Sequence, residues 1–225
     1  NKLVANSAGN VGVGTASPTR KLTVYDTDAY LALQNPTTGS AAGDGFQLQL
    51  VGNDVYHANY EAGSQIFTTS GSERMRINAD GIVTKPYQPA FFAKGANGQN
   101  NIAVGSTSTI SLPTERFDNN NDFSSNTFTA PVTGKYQLNS HVYVRSAPTN
   151  ANYIETYLVT SNRITAGIIT PSAYGGGGIS YVSIETVVLA DMDAGDTAFL
   201  QIIQGSGTQS TDVDQNTSFS GYLVA

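Results

Sequence analysis

A chain of 225 residues has room for one large all-β domain or for a small domain and a second element, and only 12% of its residues are charged while 39% are apolar. That balance lies outside the charge-rich, apolar-poor composition of disordered chains, and the excess of 17 acidic over 11 basic residues removes the basic surface that nucleic acid requires. With no cysteine there is no disulfide, no thiolate zinc site and no cysteine nucleophile; no apolar run approaches the roughly 20 residues of a membrane helix, so no membrane insertion is expected, and Asn1 to Asn10 lack the basic-then-apolar layout of a signal peptide.

From the N-terminus onward, short alternating runs replace helical periodicity, and clusters of Gly, Asn, Asp, Ser or Pro interrupt before a second helical turn could form. Leu31 and Leu33 make the first clear pair. Phe46, Leu48 and Leu50 then alternate with Gln47 and Gln49, and Met75 and Ile77 with Arg74 and Arg76. Each pattern predicts an amphipathic strand with its apolar face buried. Polar turns such as Pro36 to Asp44 separate these strands, and large apolar groups are few. A lone chain would bury too little here, and without cysteine staples the remaining solution is a core shared among chains. Residues 1–86 are therefore expected to form a β-rich, intertwined trimeric stalk.

From Tyr87 aromatic and β-branched residues arrive at the spacing of a sandwich or jelly roll. Strands are expected over Ala90 to Lys94, Ser108 to Leu112, Asn126 to Ala130, Gly134 to Arg145, Tyr153 to Thr160, Arg163 to Thr170, Ile179 to Ala190, Ala198 to Gln204 and Ser218 to Val224. Within the long central strand, Tyr136, Leu138, Ser140, Val142 and Val144 share one face and should be core. The expected fold class is all-β, with a head over residues 87–225.

Phe128, Gly134 and Tyr136, with Leu138 where Phe is commoner, stand at the spacing that opens the long strand of the C1q/tumour-necrosis-factor superfamily, which residues 88 to 225 resemble. Leu112, Asp118 and Phe123 keep its upstream order, although the interval from Phe123 to Phe128 is two residues short. Gly195, Asp196, Phe199, Leu200 and Ile202 resemble the turn into the penultimate strand, and Phe219, Ser220, Gly221, Tyr222 and Leu223 the closing strand. The resemblance implies a C1q-like jelly roll that assembles as a homotrimer. A second resemblance, to the shafts of bacteriophage tail fibres and related adhesins, is carried by Gly9, Asn10, Val11, Gly12, Val13, Gly14, Thr15, Pro18, Lys21, Leu22 and Val24. Glu73, Arg74, Met75, Arg76, Ile77 and Gly81 resemble a companion motif. It implies a virion location, with other virion proteins joined through the N-terminal side. Because the C1q-like head takes the place of a self-cleaving chaperone, autoproteolysis is not expected.

Candidate chemistry is sparse. The two histidines, His57 and His141, have no catalytic motif around them, and His141 shares a strand face with Tyr143 and Arg145, which suits a structural or interface role. The carboxylates fall mainly in turns, which argues against a polysaccharide depolymerase built on a carboxylate pair; no enzyme activity is expected. Asp191, Asp193 and Asp196 lack the terminal Glu and flanking helices of an EF-hand. No cofactor is expected, although Asp212 and Asp214 could hold calcium where three chains converge, or could be solvated loop acids. Gly175 to Gly178 after Tyr174 lacks the Lys-Ser or Lys-Thr pair and helix of a phosphate loop.

If the stalk enters at the base and the C-terminus returns there, alternation of strand direction places Ser146 to Asn152, Pro171 to Gly178 and Gly205 to Thr217 at the distal apex, and Asp191 to Asp196 at the base. Rigidly held loops of this kind commonly carry binding residues, and Asn150, Asn152, Tyr174, Asp212, Asp214 and Gln215 are the candidates for contact with a host cell-surface glycan or protein. The leading expectation is a homotrimeric tail-fibre or tip protein that binds a receptor. The alternative is a structural or decorative virion fibre whose head mainly drives trimerisation.

Overall fold

The computed structural model describes residues 3–95, 97–175 and 179–225, and the chain divides into two compact units, Asn1–Lys85 and Pro86–Ala225. Only Gly175 of the run Gly175 to Gly178 lies among the described residues.

The N-terminal unit holds three three-stranded sheets. In the first, β1 (Leu3–Ala5) pairs antiparallel with β2 (Val11–Val13), which pairs parallel with β3 (Leu22–Val24). The second joins β4 (Ala29–Leu33), β5 (Phe46–Val51) and β6 (Asp54–Asn59), and the third β7 (Gln65–Thr69), β8 (Ser72–Ile77) and β9 (Val83–Thr84), all antiparallel.

The second sheet reverses the expected burial. Gln47 and Gln49 are buried, whereas Leu48 is half-buried and Leu31, Leu33 and Leu50 are exposed. The cause is the segment between β4 and β5, which folds back over the glutamine face. Gln47 donates to Ala42 O (2.7 Å), and Gln49 donates to Gln47 Oε1 (3.0 Å) and to the Tyr60 hydroxyl (2.8 Å). These bonds offset the cost of taking two amides out of water. The pairs Leu31–Leu48 and Leu50–Val55 keep the aliphatic side chains together on the opposite face, which the chain leaves open.

The C-terminal unit is a jelly-roll sandwich of two six-stranded sheets. Its strands are β10 (Ala90–Lys94), β11 (Ser108–Thr109), β12 (Thr114–Asp118), β13 (Phe123–Ser124), β14 (Thr127–Thr129), β15 (Gly134–Ala147), β16 (Ile154–Thr160), β17 (Ile164–Ile169), β18 (Ile179–Met192), β19 (Thr197–Gln204), β20 (Asp212–Val213) and β21 (Ser218–Leu223). One sheet runs β12-β10-β21-β15-β18 with β20 on β15; the other runs β13-β14-β19-β16-β17 with β11 on β19.

Tyr136, Leu138, Ser140, Val142 and Val144 all face the interior, as their alternation requires. Phe91 is the hub, stacked on Phe123 and Phe128 with ring centroids 5.1 and 4.6 Å away and edge-on to Phe219 at 5.0 Å. Beside this cluster Tyr136 is fully buried, and its hydroxyl donates to Val132 O (2.7 Å). Gly221 lies against it because a Cβ there would meet Leu138 at 2.6 Å and Phe91 at 2.9 Å.

The strand ends depart from the sequence reading for local reasons. The expected strand Ser108 to Leu112 stops at Thr109, because Leu112 N–H bonds the Asn126 side chain (2.6 Å) instead of a neighbouring strand, and Pro113 follows with no N–H to give. The strand expected from Asn126 begins at Thr127, since Asn126 is left-handed with φ 68°. β12 has no buried residue to advertise it, being an edge strand of charged and exposed side chains. β13 and β20 are two-residue strands, too short to show a period.

Candidate functional site

Register fixes which connections meet at one end of the sandwich. Gly134 pairs with Met192 and Ala147 with Ile179, so β15 ends where β18 begins. β16 pairs with β19 from Ile154↔Gln204 to Thr160↔Ala198, which brings the segments after Ala147 and after Gln204 to that same end. They are tied together there. Asn150 Oδ1 accepts from Thr208 N (2.9 Å) while its Nδ2 donates to Thr208 Oγ1 (3.1 Å), Asn152 N donates to Ser206 Oγ (3.0 Å), and Ser210 Oγ donates to Ser146 O (3.0 Å). Thr211 and Gln204, both fully buried and 2.5 Å apart, anchor the loop from below.

These segments enclose an open cleft of about 690 Å³, lined by Arg145–Asn150, Ile179–Tyr181, Thr208 and Ser210. Of the six residues singled out from sequence, only Asn150 lines it. Asn152 and Gln215 are exposed at the same end, and Tyr174 is 63% exposed at the close of a single 3₁₀ turn, Pro171–Tyr174.

Asp212 and Asp214 correct the reading of free loop acids. Asp212 belongs to β20, opposite Arg145, and the guanidinium stands 3.6 Å from Asp212 and 3.9 Å from Asp214, whose side chains are only 17% and 14% exposed. Each carboxylate also accepts a backbone N–H, Asp212 from Asn101 (2.8 Å) and Asp214 from Asn216 (2.9 Å). Arg145 Nη2 donates to Asn100 Oδ1 (2.8 Å), while its buried Nε makes no hydrogen bond. No group of three or more His, Cys, Asp or Glu is placed to hold a metal among the described residues. Within one protomer these two carboxylates fit a guanidinium, and calcium would have to displace it.

On the outer face of the sheet below the cleft, three rings stand in a row. His141 stacks on Tyr143 with centroids 6.1 Å apart, and Tyr143 on Tyr181 at 5.6 Å with 18° between planes. His141 Nε2 lies 3.0 Å from Ser183 Oγ, a pairing that sequence could not reveal because it depends on the β15–β18 register. A Ser–His contact alone is not a nucleophilic site: among the described residues no carboxylate bonds the other ring nitrogen to orient the base. On the opposite sheet Tyr157 donates to Glu155 Oε2 (2.7 Å), and this bond to a carboxylate pushes the phenol up to about 12, so it stays a donor at neutral pH.

Sequence reading missed Tyr181, Ser180, Thr208 and Ser210. The alternation of β18 could have set Tyr181, Ser183 and Glu185 on one face, but the meeting of Ser180 and Tyr181 with residues 145–150, Thr208 and Ser210 is a product of strand pairing.

Two facing antiparallel sheets in this order, with connections gathered at one end, define a jelly-roll module. The C1q domain model matches residues 90–224, and the chain belongs to the C1q domain family. Similar solved structures include the globular domain of zebrafish complement 1qA protein, 15% identical over 61% of this chain and 98% of that one, with a TM-score of 0.46. Murine APRIL is 11% identical over 61% and 99% (TM-score 0.46), and Eiger TNF from S. frugiperda 12% over 61% and 93% (TM-score 0.44). No curated protein matches the chain.

Proposed function

We propose that three copies of this chain form a non-catalytic fibre-tip protein of a virion, of bacteriophage tail-fibre type, whose heads bind a host cell-surface receptor through the apex. The N-terminal side joins other virion proteins, and the head projects outside. The observation that carries the assembly is the inverted burial of the β4-β5-β6 sheet: its glutamine face is closed by the chain itself, while Leu31, Leu33, Leu50 and Val55 stay open. Burying an aliphatic side chain of this size is worth about 1.5–3 kcal/mol, so three such faces turned inward supply what each protomer lacks. The head adds Val187, Leu189 and Tyr222, at least half exposed on the outer face of the β15 sheet. A surface that recurs on every copy is satisfied without open ends by a closed ring. The tail-fibre reading rests on the motif around Gly9 to Val24, and threefold display lets weak receptor contacts add through avidity.

The full chain should behave as a trimer by light scattering and compete with phage for adsorption to host cells. Substituting the apex residues Asn150, Asn152 and Gln215 by alanine should reduce that competition and leave the mass unchanged. A monomeric mass overturns the assembly. Trimeric variants that compete as well as the parent favour the structural or decorative fibre, a reading to which the internal pairing of Asp212 and Asp214 with Arg145 also lends weight.

A further inference from the structure

The two sheets of the head present different outer faces. Val187, Leu189 and Tyr222, the side chains given to contact between copies, belong to the β10-β21-β15-β18 sheet, and the β13-β14-β19-β16-β17 sheet turns the opposite way. Its outer face therefore stays outside in the proposed trimer as it does in one chain. On β16 the outward residues are Glu155, Tyr157 and Val159, because Ile154, Thr156, Leu158 and Thr160 are buried. Register sets Glu155 between Ile168 of β17 and Ile203 of β19, and Val159 between Ile164 and Phe199. Ile164 and Ile168 are 63% and 60% exposed. Apolar side chains gathered this way on an open face mark a contact site.

One charge sits in that surface. Glu155 is the single charged residue in the strands of this sheet. Its Oε2 accepts the Tyr157 hydroxyl (2.7 Å), and among the described residues no cation pairs with it. Arg163, the one cation of the β16–β17 hairpin, is bonded to Asp191. A neutral partner closing over Ile168 and Ile203 would strip water from the Glu155 carboxylate and leave it unpaired, which is costly. An acidic partner would be repelled by Glu155 and by the net charge of −6. A basic side chain set between apolar ones satisfies both parts of the surface. Arginine fits better than lysine, since its guanidinium is weakly hydrated and can lie against the ring of Tyr157 while it pairs with Glu155. We propose that this flank of the head docks a protein segment that presents an arginine between aliphatic side chains, with Glu155 as the ion-pair partner and Ile168 and Ile203 as apolar walls. The flank is separate from the apex and stands whether or not the apex binds a receptor.

The test titrates the full chain with a capped peptide holding one arginine between two leucines, and with the same peptide carrying glutamine or glutamate in its place, while isoleucine methyl resonances are followed. Shifts are expected at Ile168 and Ile203 and not at the buried Ile102 and Ile110. The arginine peptide should bind about tenfold or more tightly than the glutamine one, the scale of a desolvated charge pair. Glu155→Gln should remove that preference and Glu155→Lys should transfer it to the glutamate peptide, each with unchanged mass by light scattering. Absence of binding, equal binding of the arginine and glutamine peptides, or an arginine preference that survives Glu155→Gln overturns the docking surface. A change of mass in either variant would assign the face to contact between copies and overturn it equally.

Discussion

In β15 of the head, alternation and burial agree: Tyr136, Leu138, Val142 and Val144 are completely buried. In β5 of the N-terminal unit an equally regular alternation ends with Gln47 and Gln49 inside and Leu50 48% exposed. The patterns are alike, but the surroundings are not. The head has a second sheet to close over the apolar side, with Phe91, Phe128 and Phe219 between the layers. The N-terminal unit has three separate three-stranded sheets and only a polar connecting segment to lay across one of them. Alternation therefore determines which side chains share a face, and the partner available determines which face is covered.

The largest effect should come from charging the open apolar surface of the head. Val187→Asp with Leu189→Asp, both on the outer face of β18, should convert the proposed trimer to a monomer by light scattering while the near-ultraviolet circular dichroism of the folded head persists, because neither residue belongs to the core. A trimer that survives both charges would mean that the head contributes no interface there. Next is Phe91→Ala, which should cost about 3–5 kcal/mol as a cavity opens among three aromatic rings, read from the denaturation midpoint of the head. Leu50→Ala, compared in a monomeric background, should cost under about 1 kcal/mol. Equal losses would erase the contrast between the two units.

The smallest effect concerns the Glu73–Arg76 pair of β8, a two-pronged contact at 2.9 and 2.6 Å. Its hydrogen bond to Arg76 holds the Glu73 carboxyl below its ordinary value of 4.5. A folded-state value depressed in this way stabilises above the ordinary value, and the gain is lost as pH falls through the folded value. Glu73→Gln should therefore be slightly less stable than the parent at pH 7 and indistinguishable from it once pH drops below the folded value, as compared by urea midpoints. The pair is half-buried at the surface and its contribution small, and a difference that grows on acidification would show that the pairing is not its source.

Much of the head was legible because its strands obey a period of two and its punctuation is chemical: Gly134, Gly195 and Gly221 each mark a turn or a close approach, and the long strand from Gly134 stands out by its length. β12 was not legible, since an edge strand with no buried residue carries no alternation to read. The truncation of the strand at Thr109 was equally hidden, because it depends on Asn126 reaching back to Leu112 across fourteen residues. Counting strand directions was enough to gather Asn150, Asn152, Tyr174, Asp212, Asp214 and Gln215 at one end of the sandwich. It could not show that Arg145 draws in two of them, or that Tyr181 and Asn150 line one cleft.

By itself the sequence determined the all-β class, the alternating faces and the family, all of which are local in the chain or depend on the order of short motifs. Tertiary structure decided which face of β5 is covered, which carboxylates are held by Arg145, and which side chains line the cleft at the β15–β18 end. Those outcomes depend on strand register and on segments up to 111 residues apart meeting in space, as in the bond from Asn101 N to Asp212, and no local pattern encodes such a pairing.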